Sequence, residues 1–192
     1  IGGANFFSDY VRIAGGGFNG HTIRTSPRMV RVRENSSEFG NCSVVKKLFL
    51  LAVAPFFIGI KNRPFHSNLM QLFLYIKALD PVSVRGKRHV KEGLQTAKGK
   101  HLLKQYDFTL KHSMMGAICS TSSFDWNSQQ ISISNFNPSH FKTPKTATHV
   151  GVTLGILDFG FDSFDSSLEV SPTYFLDIKA GATSFVLAPN QV

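Results

Sequence analysis

Residues able to do chemistry are present in the chain of 192 residues, but their spacing does not assemble them into a reaction. The histidines are His21, His66, His89, His101, His112, His140 and His149; no pair has H-E-x-x-H spacing or a close Cys partner, so no zinc site is expected. Two cysteines, Cys42 and Cys119, exclude a four-thiolate metal site and a disulfide scaffold, and neither lies in a recognisable reactive context. No G-x-S-x-G stands in the sequence to support nucleophilic catalysis. Asp158, Asp162 and Asp165 suggest a calcium loop, yet Phe159, Phe161 and Phe164 between them give strand alternation, and the Gly and Glu such a loop needs do not follow. They read as strand and turn carboxylates facing solvent. Gly15, Gly17 and Gly20 match G-x-G-x-x-G, whose chemistry requires a helix to open at the loop. The following His-Thr-Ile-Arg-Thr-Ser-Pro27 is β-branched and ends in proline, so a flexible glycine turn is expected there and no helix start. Asn35-Ser-Ser37 and Asn41-Cys-Ser43 fit the glycosylation sequon but lie in a predicted helix start. The reading is of no enzyme, no cofactor and no metal.

The basic clusters are the remaining site candidates. Arg28, Arg31 and Arg33 alternate before the first predicted helix, and Arg85, Lys87, Arg88 and Lys91 gather after the second. Guanidinium groups with glycine between them approach phosphates closely, which makes these residues candidates for polyanion or subunit contact. Arg31, Arg33, Glu34 and Glu38 are equally suited to local ion pairs that fix the helices. The formal charge is +9, and it is unevenly spread: residues 1–105 hold 17 basic and 5 acidic residues (net +12), residues 106–192 hold 4 and 7 (net −3). Either a basic surface meets nucleic acid, or a basic half packs against an acidic one in the same or a neighbouring subunit.

The elements that must position these residues follow from periodicity. Tyr10–Ala14 and Thr22–Thr25 read as short strands around the glycine run. Asn35 and Glu38 have the spacing of a capping box, and Val44, Val45, Leu48, Leu51 and Ala52 recur at helical spacing until Pro55 and Gly59. Ser67 is a predicted cap for a second helix carrying Leu69, Met70, Leu72, Phe73, Ile76 and Leu79, which must end near Asp80-Pro81. The two make an antiparallel hairpin. The apolar run Leu48–Ile60, interrupted by Pro55, is too short to span a bilayer and reads as a buried helix. After about residue 105 the period changes to 2: Phe108–Met114, Ile131 and Ile133, Val150–Ile156, Phe159 and Phe161, Tyr174–Ile178 and Phe185–Leu187 are predicted strands. The predicted fold is α+β: an N-terminal β segment and helical hairpin (1–105) packed, as one compact domain, with a C-terminal antiparallel β-sandwich or sheet (106–192). The chain begins at Ile1 without a visible signal peptide, and both ends read as cuts in a longer protein.

The block Arg31-Val-Arg-Glu-Asn-Ser-Ser-Glu-Phe-Gly40, with Ser83-Val-Arg-Gly-Lys-Arg88 after the second helix, resembles an uncharacterised family of Bacteroidota proteins carrying R-x-R-E-N-x-x-E-F-G and S-x-R-G-Q-R. Lys87 stands where that family usually has Gln. The resemblance continues through Gly99–Lys104, Tyr106–Phe108 and Ala147–His149, covering residues 20 to about 185. It implies a further β segment at each end and supplies no catalytic residues.

The expectation is a non-enzymatic structural subunit that self-assembles with copies of itself, in an extracellular filament or a phage-like particle. The alternative is a nucleic-acid-binding module using residues 24–33 and 85–104. Compartment stays open, with no transmembrane segment expected.

Overall fold

The computed structural model describes residues 19–57, 65–108, 118, 121–140 and 143–189. The first element among the described residues is helix α1 (Gly20–Thr25), where a strand is predicted from the β-branched residues. Local hydrogen bonding overrides propensity here. Asn19 caps the helix by accepting from the His21 amide at 2.8 Å, and the Thr25 hydroxyl donates back to the His21 carbonyl at 2.9 Å. A helix therefore does open at Gly20, against the sequence expectation, and it ends at Ser26, which is extended ahead of Pro27. The other N-terminal strand, Tyr10–Ala14, lies outside the described residues.

A 3-10 turn (Pro27–Met29) runs directly into α2 (Val30–Ala52), so Asn35 is an interior residue and not the predicted cap. Helix α2 buries one narrow stripe, Glu38, Cys42, Val45 and Phe49. Val44 and Leu51, assigned to the apolar stripe from the sequence, are 49% and 61% exposed. The run Leu48–Ile60 is not one helix: α2 stops at Ala52 and a 3-10 turn (Ala54–Phe57) follows. Helix α3 (Phe65–Ala78) starts two residues ahead of the predicted Ser67 cap and ends just before Asp80-Pro81. It runs antiparallel to α2: Glu38 lies against Lys77, and the Cys42 thiol lies 3.8 Å from the Phe73 carbonyl. Burial pushes the Cys42 thiol up to about 11, which keeps it protonated and unreactive.

Helix α4 (Val90–Gln95) crosses α3 at a glycine contact. A Cβ on Gly93 would lie 1.9 Å from the Ile76 carbonyl oxygen. Helix α5 (Ala97–Lys104) follows, capped by Thr96, whose hydroxyl accepts from the Gly99 amide at 3.0 Å.

Among the described residues, seven short strands complete an α+β fold: β1 (Ser122–Asp125), β2 (Gln130–Phe136), β3 (His149–Val152), β4 (Gly155–Phe159), β5 (Ser166–Val170), β6 (Tyr174–Asp177) and β7 (Thr183–Leu187). They form three antiparallel sheets, β1-β2-β7, β3-β6 and β4-β5. The predicted run Val150–Ile156 is split between β3 and β4, Phe161 falls in the turn beyond β4, and β1 and β5 were not anticipated. Phe108 heads a predicted strand but sits in a bend, its ring 5.6 Å from Phe65 and 5.0 Å from Tyr106; the residues after it lie outside the described set.

The β3-β6 and β4-β5 ladders are two halves of one long hairpin. Val152 pairs with Tyr174 and Gly155 with Val170, so two residues on one strand face three on the other, and the ladder breaks at Pro172. Buried Ser171 bridges the break, its amide donating to the Leu154 carbonyl and its hydroxyl accepting from the Leu154 amide, both at 2.9 Å. The near half joins β1-β2-β7 around Ile133, Phe136, Leu176, Phe185 and Leu187. The far half, carrying Leu157, Phe159, Phe161 and Phe164, packs on the helical core of Phe49, Leu69, Phe73 and Ile76. The hydrophobic cores therefore do not divide at residue 105.

Two helix glycines test this packing with opposite signs. Gly93→Ala is expected to lower stability by about 2 kcal/mol or more, since a backbone carbonyl must move. Gly40→Ala, with open space around its Cβ in the middle of α2, is expected to raise stability by about 0.5–1 kcal/mol. Urea unfolding of both variants checks the pair.

Candidate functional site

The Glu38 carboxylate is the one acidic group on the buried face of α2, and it is 1% exposed. Burying a charge without partners is prohibitive, so the surrounding residues are fixed by what it must accept. Arg88 forks onto it, Nε to Oε1 and Nη2 to Oε2, both at 2.8 Å. The Gly86 amide donates to Oε1 at 2.7 Å and Lys77 Nζ donates to Oε2. Together these hold the Glu38 carboxyl far below the usual carboxylate range, with the Arg88 hydrogen bonds the largest cause. Arg88 is in turn shifted upward by Glu38.

The loop that delivers Gly86 and Arg88 is itself organised by a second buried carboxylate. Asp80 Oδ1 accepts from the amides of Val82 (2.8 Å) and Ser83 (2.9 Å), and Oδ2 accepts from the His89 amide at 2.9 Å. Burial opposes its ionisation, but these backbone donors outweigh it and bring Asp80 down to about 2. Gly86 has φ +92°, and a Cβ there would lie 2.9 Å from Glu34 Cγ. Glycine is required at this position by both conformation and space.

Around this centre the two arginine blocks meet. Arg85 pairs with Glu34 at 3.3 Å and donates to Asn35 Oδ1 at 3.1 Å. Arg31 pairs with Glu34 at 3.1 Å while remaining largely exposed. Arg33 Nη1 donates to the Ile23 and Ser26 carbonyls at 2.7 and 2.9 Å, tying α1 down onto α2. Lys91 reaches across to Asp162 in the β4–β5 turn at 2.6 Å. Of the seven candidate cations, then, Arg31, Arg85 and Arg88 are gathered around the carboxylates, Arg33 caps a helix end and Lys91 links helix to hairpin. Arg28 and Lys87 are exposed and make no ion pair among the described residues.

Lys77 and Asp80 were missed by sequence reasoning, and Glu38 was noticed only for its local pairing. The signal was present. Glu38 lies four residues before Cys42, and Lys77 four after Phe73, each on the apolar stripe of its own helix. A charge of opposite sign on each of two facing apolar stripes marks a buried pair.

Chemically, the arrangement holds a carboxylate permanently ionised and fully saturated with donors, so it can lock elements together but cannot exchange a proton near neutral pH. Among the described residues no group of three His, Cys, Asp or Glu is placed to hold a metal ion, and no helix is long and apolar enough to cross a membrane. One cleft of about 410 Å³ lies beside the lock, between α2, α4 and the β4–β5 turn, with His89, Lys91 and Asp162 at its rim.

Glu38→Gln is expected to cost about 3 kcal/mol or more by leaving Lys77 and Arg88 without their counter-charge, whereas Lys87→Gln stays within about 0.5 kcal/mol. The pH dependence has a definite sign. Glu38 and Asp80 have folded pKa values below their unfolded ones, so the unfolded chain takes up protons first, and stability falls as pH drops from about 5 toward 2. Denaturation measured across that window is expected to show a shallower acid loss in Glu38→Gln, with the Asp80 contribution remaining.

Comparison with family models, with curated proteins and with solved structures finds no match to this chain.

Proposed function

We propose that the chain is a non-enzymatic structural subunit that associates with copies of itself into a filament or particle. The observation that carries this reading is the state of the strand edges. Among the described residues only β2 is paired on both sides; β1, β7, β3, β6, β4 and β5 each pair on one side alone. Unpaired edges are templates for another strand, and monomeric proteins usually cover or charge them. Large apolar side chains stand exposed on or beside these strands: Phe175 is 68% exposed, Val186 55% and Trp126 80%. Val186 on β7 and Tyr174 on β6 line one groove with Pro172, Thr173, Leu187 and Ala188, and strand addition is one way such sheet edges meet a partner.

The arginine blocks bear on the alternative. Arg33, Arg85 and Arg88 are occupied by internal acceptors. Nucleic-acid binding then rests on Arg24, Arg28, Lys87, Lys98, Lys100 and Lys104, which are exposed.

Light scattering at moderate salt tests the proposal. Species at multiples of 21.2 kDa are expected at micromolar concentration, and Val186→Lys is expected to reduce them without changing the fold. A monomer throughout would contradict it. Retardation of DNA or RNA that fades steeply with salt would instead favour the alternative.

A further inference from the structure

The cleft of about 410 Å³ has an aliphatic wall, Val44 and Val45 of α2 with Val90 of α4, and an aromatic one, Phe161 and Phe164 of the β4–β5 turn. Its volume falls within the roughly 300–1,000 Å³ of small-ligand sites. The aromatic wall is set before anything enters. The Gly160 amide donates to the Asp165 carbonyl at 2.9 Å and the Phe164 amide to the Gly160 carbonyl at 2.8 Å, which closes the turn on itself. Asp162 anchors the turn to Lys91 at 2.6 Å, and the Phe161 ring lies 6.2 Å from Phe73. Phe164 is held there at φ +61°, a left-handed conformation that is costly for a bulky residue. Strain of this kind gathers at ligand clamps, and here it belongs to a residue that lines a cleft.

The polar groups of the lining differ in what they already hold. Lys91 and Asp162 are paired with each other, and the His89 amide is given to Asp80. Asn41 and Glu92 also line the cleft and are partly buried, yet among the described residues their side chains make no hydrogen bond or ion pair. A carboxylate and an amide left without partners beside apolar walls are acceptors for donors from outside. With Lys91 taken by Asp162, Glu92 is the charge left over, on a chain whose formal charge is +9.

We propose that this cleft binds a small aromatic amine, its ring between the valines and the phenylalanines and its protonated nitrogen at the Glu92 carboxylate. The site is independent of the self-association reading. A flat ring suits walls of methyl groups and ring faces, because it buries apolar area on one side and meets Phe161 and Phe164 in edge or offset contact on the other. Those rings also attract a cation. A ligand carrying a carboxylate instead brings like charge to Glu92 and Asp162. Asn41 adds a neutral polar group that fixes orientation without changing the charge preference.

Equilibrium dialysis of the full chain against tryptamine, with indole-3-propionate as its acidic counterpart, tests the assignment whatever the state of assembly. Saturable uptake of one tryptamine per chain is expected, with the acid bound about fivefold more weakly or worse. Glu92→Gln is expected to weaken tryptamine by about fivefold and leave the acid no weaker. Val44→Trp, at a helix position 49% exposed, crowds the cleft and is expected to weaken both probes by about tenfold. No saturable uptake at millimolar tryptamine overturns the proposal. So does equal uptake of the two probes, a charge preference that survives in Glu92→Gln, or uptake unchanged in Val44→Trp. Should Val44→Trp fail to fold, as circular dichroism would show, the two probes on the parent chain and on Glu92→Gln decide alone.

Discussion

A carboxylate with almost no solvent contact dictates much of this structure. Once Glu38 lies on the inner face of α2, four donors must converge on it, and they come from three places in the chain: Lys77 on α3, and the Gly86 amide and Arg88 from the loop that follows. That loop cannot wander. Asp80 ties its start to its end through the amides of Val82, Ser83 and His89, and Gly86 takes the one backbone conformation that brings its N–H inward. Helix α4 begins immediately afterwards at Val90, so the lock also sets where α4 crosses α3 and where Lys91 stands. A buried ion pair of this kind adds little net stability over an apolar equivalent, but mispairing it is costly, so it enforces one arrangement.

The β-rich half is organised by a different constraint. One long hairpin, broken at Pro172, contributes to two cores at once. Its near half completes the small core around Ile133 and Phe185, while its far half lays an aromatic, acidic tip over the helices. The uneven charge of the chain finds part of its explanation here, since the acidic arm lies against the basic half. Phe56 marks how close the approach is: a Cβ on Gly155 would lie 2.1 Å from its ring.

Much of this was legible from residue types. The change of period after residue 105, the end of α3 at Asp80-Pro81, and the antiparallel helix pair all follow from local pattern. Failures occurred where a distant partner decided the outcome. Thr22–Thr25 is β-branched, yet Asn19 and Arg33 hold it helical. Asn35 has the type and spacing of a cap, but the helix already runs through it and its side chain serves Arg85 instead. Val150–Ile156 alternates without interruption, and only the opposite strand, with Pro172, shows where the ladder must break. For the site, the arginine blocks stood out by composition; that Arg31 and Arg85 meet at a shared carboxylate, Glu34, is a tertiary fact.

These constraints leave a molecule whose most distinctive cations are engaged internally and in which, among the described residues, every strand but β2 is paired on one side alone. The proposed reading is that such a surface meets like chains. Electron microscopy of the purified, undiluted protein tests that conclusion most directly. Filaments or closed particles with a regular repeat are expected, and a field of separate small globules would contradict the account.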